Sequence, residues 1–78
     1  MDKVFEVIST VLDESVDMKS TMENTKQWDS FNHVLIMIEL KSDFGLDVRQ
    51  EDFHKLTSVM NIINKIHEMF YIFQLNLM

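Results

Sequence analysis

The chain has no cysteine, no proline and a single glycine, Gly45, in 78 residues. Without cysteine there can be no disulfide, no thiolate metal site and no cysteine nucleophile. One glycine and no proline cannot supply the many turns of a β-sandwich or barrel. Positive charge is also scarce: 7 Lys and Arg stand against 13 Asp and Glu, for a formal charge of -6. That balance argues against nucleic acid and against anionic lipid as partners, because both are held by clustered cations. No stretch reaches the roughly 20 apolar residues that a membrane span requires. The first residues, Met1-Asp2-Lys3-Val4, read as the start of an amphipathic helix and not as a secretory signal. The expectation is a soluble, acidic, cytoplasmic domain.

What is present points to helices. Hydrophobic residues make up 46% of the chain, too many for a disordered acidic tail. The length predicts one domain over residues 1–78, burying only about 60% of its unfolded surface. A first helix is predicted over Asp2–Glu14, with Val4, Ile8, Val11 and Leu12 on one face and Phe5 beside them. Asp2 and Glu6 then lie near the positive end of the helix dipole. The next thirteen residues, Ser15–Gln27, are polar and without strong period, with Val16, Met18 and Met22 expected to pin them to the core. So long a connection in a small domain is usually functional or mobile.

A second helix is predicted over Ser30–Phe44, capped by Asp29 or Ser30 and stopped by Gly45 in a left-handed cap. His33, Ile36, Met37, Leu40 and Phe44 form its core face, flanked by Val34. A short third helix over Gln50–Leu56 buries Phe53 and Leu56, and Thr57 or Ser58 caps a fourth. Val59, Ile62, Ile63, Ile66 and Phe70 are that helix's buried stripe, with Asn61, Asn64, Lys65 and Glu68 outward. The expected fold is all-α: an irregular four-helix bundle with a long first loop and a short third helix.

One position stands out for chemistry. In Trp28-Asp29-Ser30-Phe31 a serine stands at a helix N-terminus after a long loop, where backbone N–H groups and the dipole favour an anion. A phosphate ester on Ser30 would be stabilised there. By itself the tetrapeptide reads as a capping serine, because such serines are common.

The wider pattern says more. Asp29-Ser30-Phe31, the helix end Glu39-Leu40-Lys41-Ser42-Asp43-Phe44, the segment Gly45-Leu46-Asp47-Val48 and the step Leu56-Thr57-Ser58-Val59 resemble an acyl carrier protein. The resemblance covers most of the chain and runs without a gap from Asp29 to about Ile66. That family's attachment motif is Asp-Ser-Leu; here it reads Asp-Ser-Phe. The resemblance implies a 4′-phosphopantetheine arm on Ser30, added by a phosphopantetheinyl transferase that recognises Asp29. The arm's thiol would hold an acyl or aminoacyl group as a thioester and present it to an acyl-loading enzyme and then to ketosynthase, acyltransferase or condensation-type enzymes. The chain itself would not be an enzyme. The absence of cysteine agrees with a thiol supplied by the cofactor, and a tethered arm raises the cargo's effective concentration at each partner.

General fatty-acid carriers have a strongly acidic second helix, whereas here only Glu39 and Asp43 are acidic in it. The resemblance therefore implies an accessory carrier of polyketide, mixed peptide or surface-glycolipid synthesis, with a general fatty-acid carrier as the alternative. Phe31, Leu35, Ile38 and Glu39 are the expected partner contacts, Leu35 standing where the family usually has an acid. An unmodified helical interaction module is the reading from a different functional class.

Other constellations carry less. Ser30 and His33, three apart on a helix, suggest Ser–His nucleophilic chemistry, without an orienting carboxylate or a glycine-rich oxyanion turn. His33, His54 and His67 are spaced too widely for a helical metal site. Methionines such as Met37 read as core filling, and Trp28 as packing the loop end on the bundle. The run from Met69 to Met78 has no charged side chain. At about 15 Å as a helix it is too short to cross a bilayer. It reads as an apolar C-terminal extension that packs on the bundle or forms a self-association or docking surface.

Overall fold

The first helix stops two residues short of expectation, and the reason is visible in its backbone. In the computed structural model α1 spans Asp2–Leu12. Asp13 then takes φ 51, the left-handed region, and the N–H of Glu14 donates to the Ser9 carbonyl at 3.2 Å. A short polar residue tolerates that conformation, so Asp13 does here what glycine does at many helix ends. The structure describes residues 2–77. Met1 and Met78 lie outside the described residues, as do the side chains of Asp2, Phe73, Gln74, Asn76 and Leu77.

Among the described residues there are three α-helices and one short 3-10 helix: α1, α2 over Ser30–Phe44, the 3-10 helix Gln50–Lys55, and α3 over Val59–Leu77. The fold is all-α, with a long connection between α1 and α2 and no strand among the described residues. One core joins Val4, Val7, Ile8 and Leu12 of α1, Ile36, Met37 and Leu40 of α2, and Val59, Ile62, Ile63 and Ile66 of α3. Trp28, Leu46 and Leu56 close its ends. Val7 is buried where the sequence pattern had favoured Val11, which is half-buried with Phe5. The true α1 stripe is therefore Val4, Val7, Ile8 and Leu12.

α2 has the bounds its signals predict. Asp29 is the cap, its Oδ1 accepting from the Asn32 N–H at 2.8 Å. At the other end Gly45 has φ 69, its N–H donating to the Lys41 carbonyl at 2.9 Å, and the Leu46 N–H reaches the Leu40 carbonyl at 3.4 Å. This pair of bonds satisfies two end carbonyls and drops Leu46 into the core. α3 starts the same way as α2: Ser58 Oγ accepts from the Asn61 N–H at 3.1 Å. Its predicted stripe is buried through Ile66, but Phe70 is 49% exposed.

The loop of residues 13–29 is held by its own side chains. Thr21 and Asn24 bond reciprocally, the Thr21 N–H to Asn24 Oδ1 at 2.8 Å and the Asn24 N–H to Thr21 Oγ1 at 3.1 Å. A single β-bridge joins Thr21 to Ser58, with the Met22 N–H on the Thr57 carbonyl at 2.8 Å and the Val59 N–H on the Ser20 carbonyl at 3.0 Å. Val16 and Met22 rest on the core as expected, whereas Met18 is 41% exposed and pins nothing.

Candidate functional site

Trp28 and His33 join the loop end to α2 close in sequence to Ser30. His33 sits on the core face of α2 and is 5% exposed. An indole N–H can only donate, and Trp28 Nε1 lies 3.0 Å from His33 Nδ1, so Nδ1 is the acceptor. The ring proton is then on Nε2, which donates to the Phe53 carbonyl at 2.7 Å. That carbonyl also accepts the Leu56 N–H at 3.0 Å. One buried imidazole thus ties the loop end, α2 and the 3-10 helix together. The Phe53 ring meets His33 edge-on, with centroids 6.5 Å apart. Among the described residues no buried side-chain nitrogen or oxygen lacks a partner, so this polar joint costs little desolvation.

Ser30 is the first residue of α2 and is exposed, directly after the capping Asp29, also exposed. The loop end is fixed from a second side by Asn32 Nδ2, which donates to the Gln27 carbonyl at 2.7 Å. Rigid backbone on both sides thus presents a free-standing hydroxyl at the positive end of α2. With both ring nitrogens of His33 engaged inside, neither is free to take a proton from Ser30, which leaves the Ser–His pair without a base. His54 and His67 are exposed, and no three potential metal ligands converge among the described residues.

The expected partner residues differ in exposure. Phe31 is 73% exposed, Ile38 54%, and Glu39 is exposed, but Leu35 is half-buried. It lines a groove of about 400 Å³ between α1 and α2 with Val7, Thr10 and Val11, rimmed by Lys3, Glu6, Glu39 and Asp43. Leu35 therefore lies beside the α1–α2 contact. The third exposed apolar residue is Val34, at 39%. Phe31, Val34 and Ile38, at i, i+3 and i+7, run along one side of α2 from Ser30. The spacing was readable in the sequence; which side α1 covers was not. On the other flank, α2 and the 3-10 helix enclose a cavity of about 260 Å³ lined by Met37, Ile38, Leu46, Val48 and Phe53, with Lys41 and Gln50.

No protein-family model matches the chain, and comparison with curated proteins finds no match.

Proposed function

We propose that the chain is a carrier protein, bearing 4′-phosphopantetheine on Ser30 and presenting a thioester-bound acyl or aminoacyl group to biosynthetic enzymes. The observation that carries this reading is the exposed Ser30 hydroxyl in the first turn of α2, immediately after the exposed cap Asp29. Two features of the surroundings fit a phosphodiester there. The leading N–H groups of a helix favour an anion, and Ser30 is exposed while the Trp28–His33 hydrogen bond ties the loop end just before it to α2.

In the modification a transferase removes the proton from Ser30 Oγ, and that oxygen attacks the pantetheine-side phosphorus of coenzyme A. The new Ser–phosphate bond replaces the pyrophosphate bond, and adenosine 3′,5′-bisphosphate leaves. Asp29, exposed beside the serine, is the contact we assign to the transferase. When bound at Ser30, the arm would supply a thiol able to carry an acyl group as a thioester. The chain supplies no catalytic group of its own; the work on the cargo belongs to its partners. Phe31, Val34 and Ile38 offer those partners an apolar strip, with Glu39 at its side. That low-acid surface supports an accessory pathway over general fatty-acid synthesis.

The test is intact-mass measurement after incubation with a broad-specificity phosphopantetheinyl transferase and coenzyme A. The expected result is a gain of one phosphopantetheine per chain. An unchanged mass, under conditions that fully convert a known carrier, overturns the reading in favour of an unmodified helical interaction module.

A further inference from the structure

His33 is the only buried titratable side chain among the described residues; the other buried polar residue is Thr25. The function proposed for Ser30 makes no use of its ring. Two neighbours of opposite and fixed character bracket that ring. The Trp28 indole can only donate, and it stands 3.0 Å from Nδ1. The Phe53 carbonyl can only accept, and it stands 2.7 Å from Nε2. A neutral imidazole, with one bare nitrogen and one N–H, satisfies both at once. An imidazolium has two N–H groups and no acceptor. It keeps the bond to Phe53 but sets a second donor against the indole N–H. Turning the ring over changes nothing, because one nitrogen must still stay bare for Trp28.

No carboxylate is bonded to the ring to hold a positive charge there. On the loop the charged groups nearest in sequence are Lys26 and Asp29, both exposed, and Asp29 caps α2. On the 3-10 helix the titratable groups beside Phe53 are Asp52, His54 and Lys55, with Asp52 paired to Lys55 at 3.1 Å. α2 has no other charged residue before Glu39. The residues that α1 and α3 bury in the core are all apolar.

We infer that the Trp28–His33–Phe53 joint is a proton-operated latch, closed while His33 is neutral and opened at Trp28 when the ring gains a proton. Opening takes up one proton that the closed joint has no place for. The latch is therefore at full strength above the range in which a free imidazole titrates, about pH 6.5, and weakens as the pH falls through it. Below that range the opening equilibrium rises about tenfold for each pH unit. What opens is the end of the 13–29 loop. Its other anchors, the backbone bonds of Ser20 and Met22 to Val59 and Thr57, contain no group that titrates. Trp28 stands two residues before Ser30, so the same proton loosens the backbone that presents the serine; that consequence alone rests on the carrier reading.

The chain has one tryptophan, so its indole N–H gives a single NMR signal. Hydrogen exchange of that proton is measured at about pH 7.5 and about pH 5.5, on either side of the imidazole range, in the full chain and in His33→Gln. Glutamine offers an acceptor oxygen and an amide donor and does not titrate. The ratio of the two exchange rates cancels the intrinsic effect of pH on an indole, and His54 and His67 are common to both chains. The expected ratio of parent to His33→Gln rises about tenfold from the higher pH to the lower. A ratio that stays within about twofold overturns the inference. Nitrogen-15 NMR of the His33 ring in the parent chain is the second measurement and needs no variant. One bare and one protonated nitrogen at the higher pH support the latch. Protons on both nitrogens at the lower pH, with the indole N–H as protected as before, overturn it. None of these outcomes depends on modification of Ser30.

Discussion

Residues 13–29 contain no helix, yet Thr25 and Trp28 are buried and the segment is bonded to α2 and to the start of α3. The last turns of α3 are regular helix, yet Phe70, Tyr71, Ile72 and Leu75 are half or more exposed. The loop exchanges polar groups with its neighbours and buries one large aromatic residue; the helix end satisfies its own backbone and leaves Phe70, Tyr71, Ile72 and Leu75 exposed. Regularity and anchorage are thus separate properties. The irregular segment is the one able to hold a serine in a fixed place, and the regular one is free to meet another molecule.

The contrast can be broken most severely at Trp28. Trp28→Ala removes a 2% exposed aromatic ring and deprives His33 Nδ1 of its donor, so a loss of about 3–5 kcal/mol is expected in chemical denaturation. Trp28→Phe keeps most of the packing and loses only the hydrogen bond, so it should cost about 1–3 kcal/mol. If Trp28→Ala costs less than Trp28→Phe is expected to, the loop is not anchored through this residue.

Gly45→Ala comes next. A Cβ at Gly45 meets nothing within 4 Å, so only the left-handed backbone at φ 69 opposes the change. The cost should be about 1–2 kcal/mol. Asp29→Ala removes the α2 cap and should cost about 0.5–2 kcal/mol by the same denaturation measurement, while Asp29→Ser should recover most of it.

The smallest effect belongs to the distal part of α3. Tyr71→Lys, at a 66% exposed position, should change the stability of the dilute protein by no more than about 0.5 kcal/mol. A loss near that of Trp28→Phe would show that the segment is anchored after all and would remove the contrast.

Much of this arrangement was legible in the sequence, and for local reasons. The bounds of α2 follow from Asp29 and Gly45, which act through bonds to their own neighbours in the chain. The start of α3 follows from Ser58 in the same way. What escaped is set by tertiary contact. Asp13 adopts a left-handed backbone without being a glycine, so α1 ended earlier than its apolar period suggested. Leu35 is half-buried and Val34 exposed, and the wheel of α2 does not reveal which side α1 covers. The Trp28–His33 bond was half visible: a histidine on a core face needs a polar partner, and Trp28, five residues earlier, is the nearest buried donor. Phe70 fits its helix's stripe perfectly well, but no pattern within α3 marks where burial ends.

The central claim is that Ser30, held out by this anchored loop, is the single attachment point. It is tested most directly by fragmenting the chain after transferase treatment and locating the added phosphopantetheine, with Ser30→Ala treated in parallel. Ser30 is exposed and has no packing role, so the alanine chain should fold as the parent does. The account predicts one modified residue, Ser30, in the parent chain and none in Ser30→Ala. A phosphopantetheine found on any other residue, or a Ser30→Ala chain that still gains the group, would contradict it.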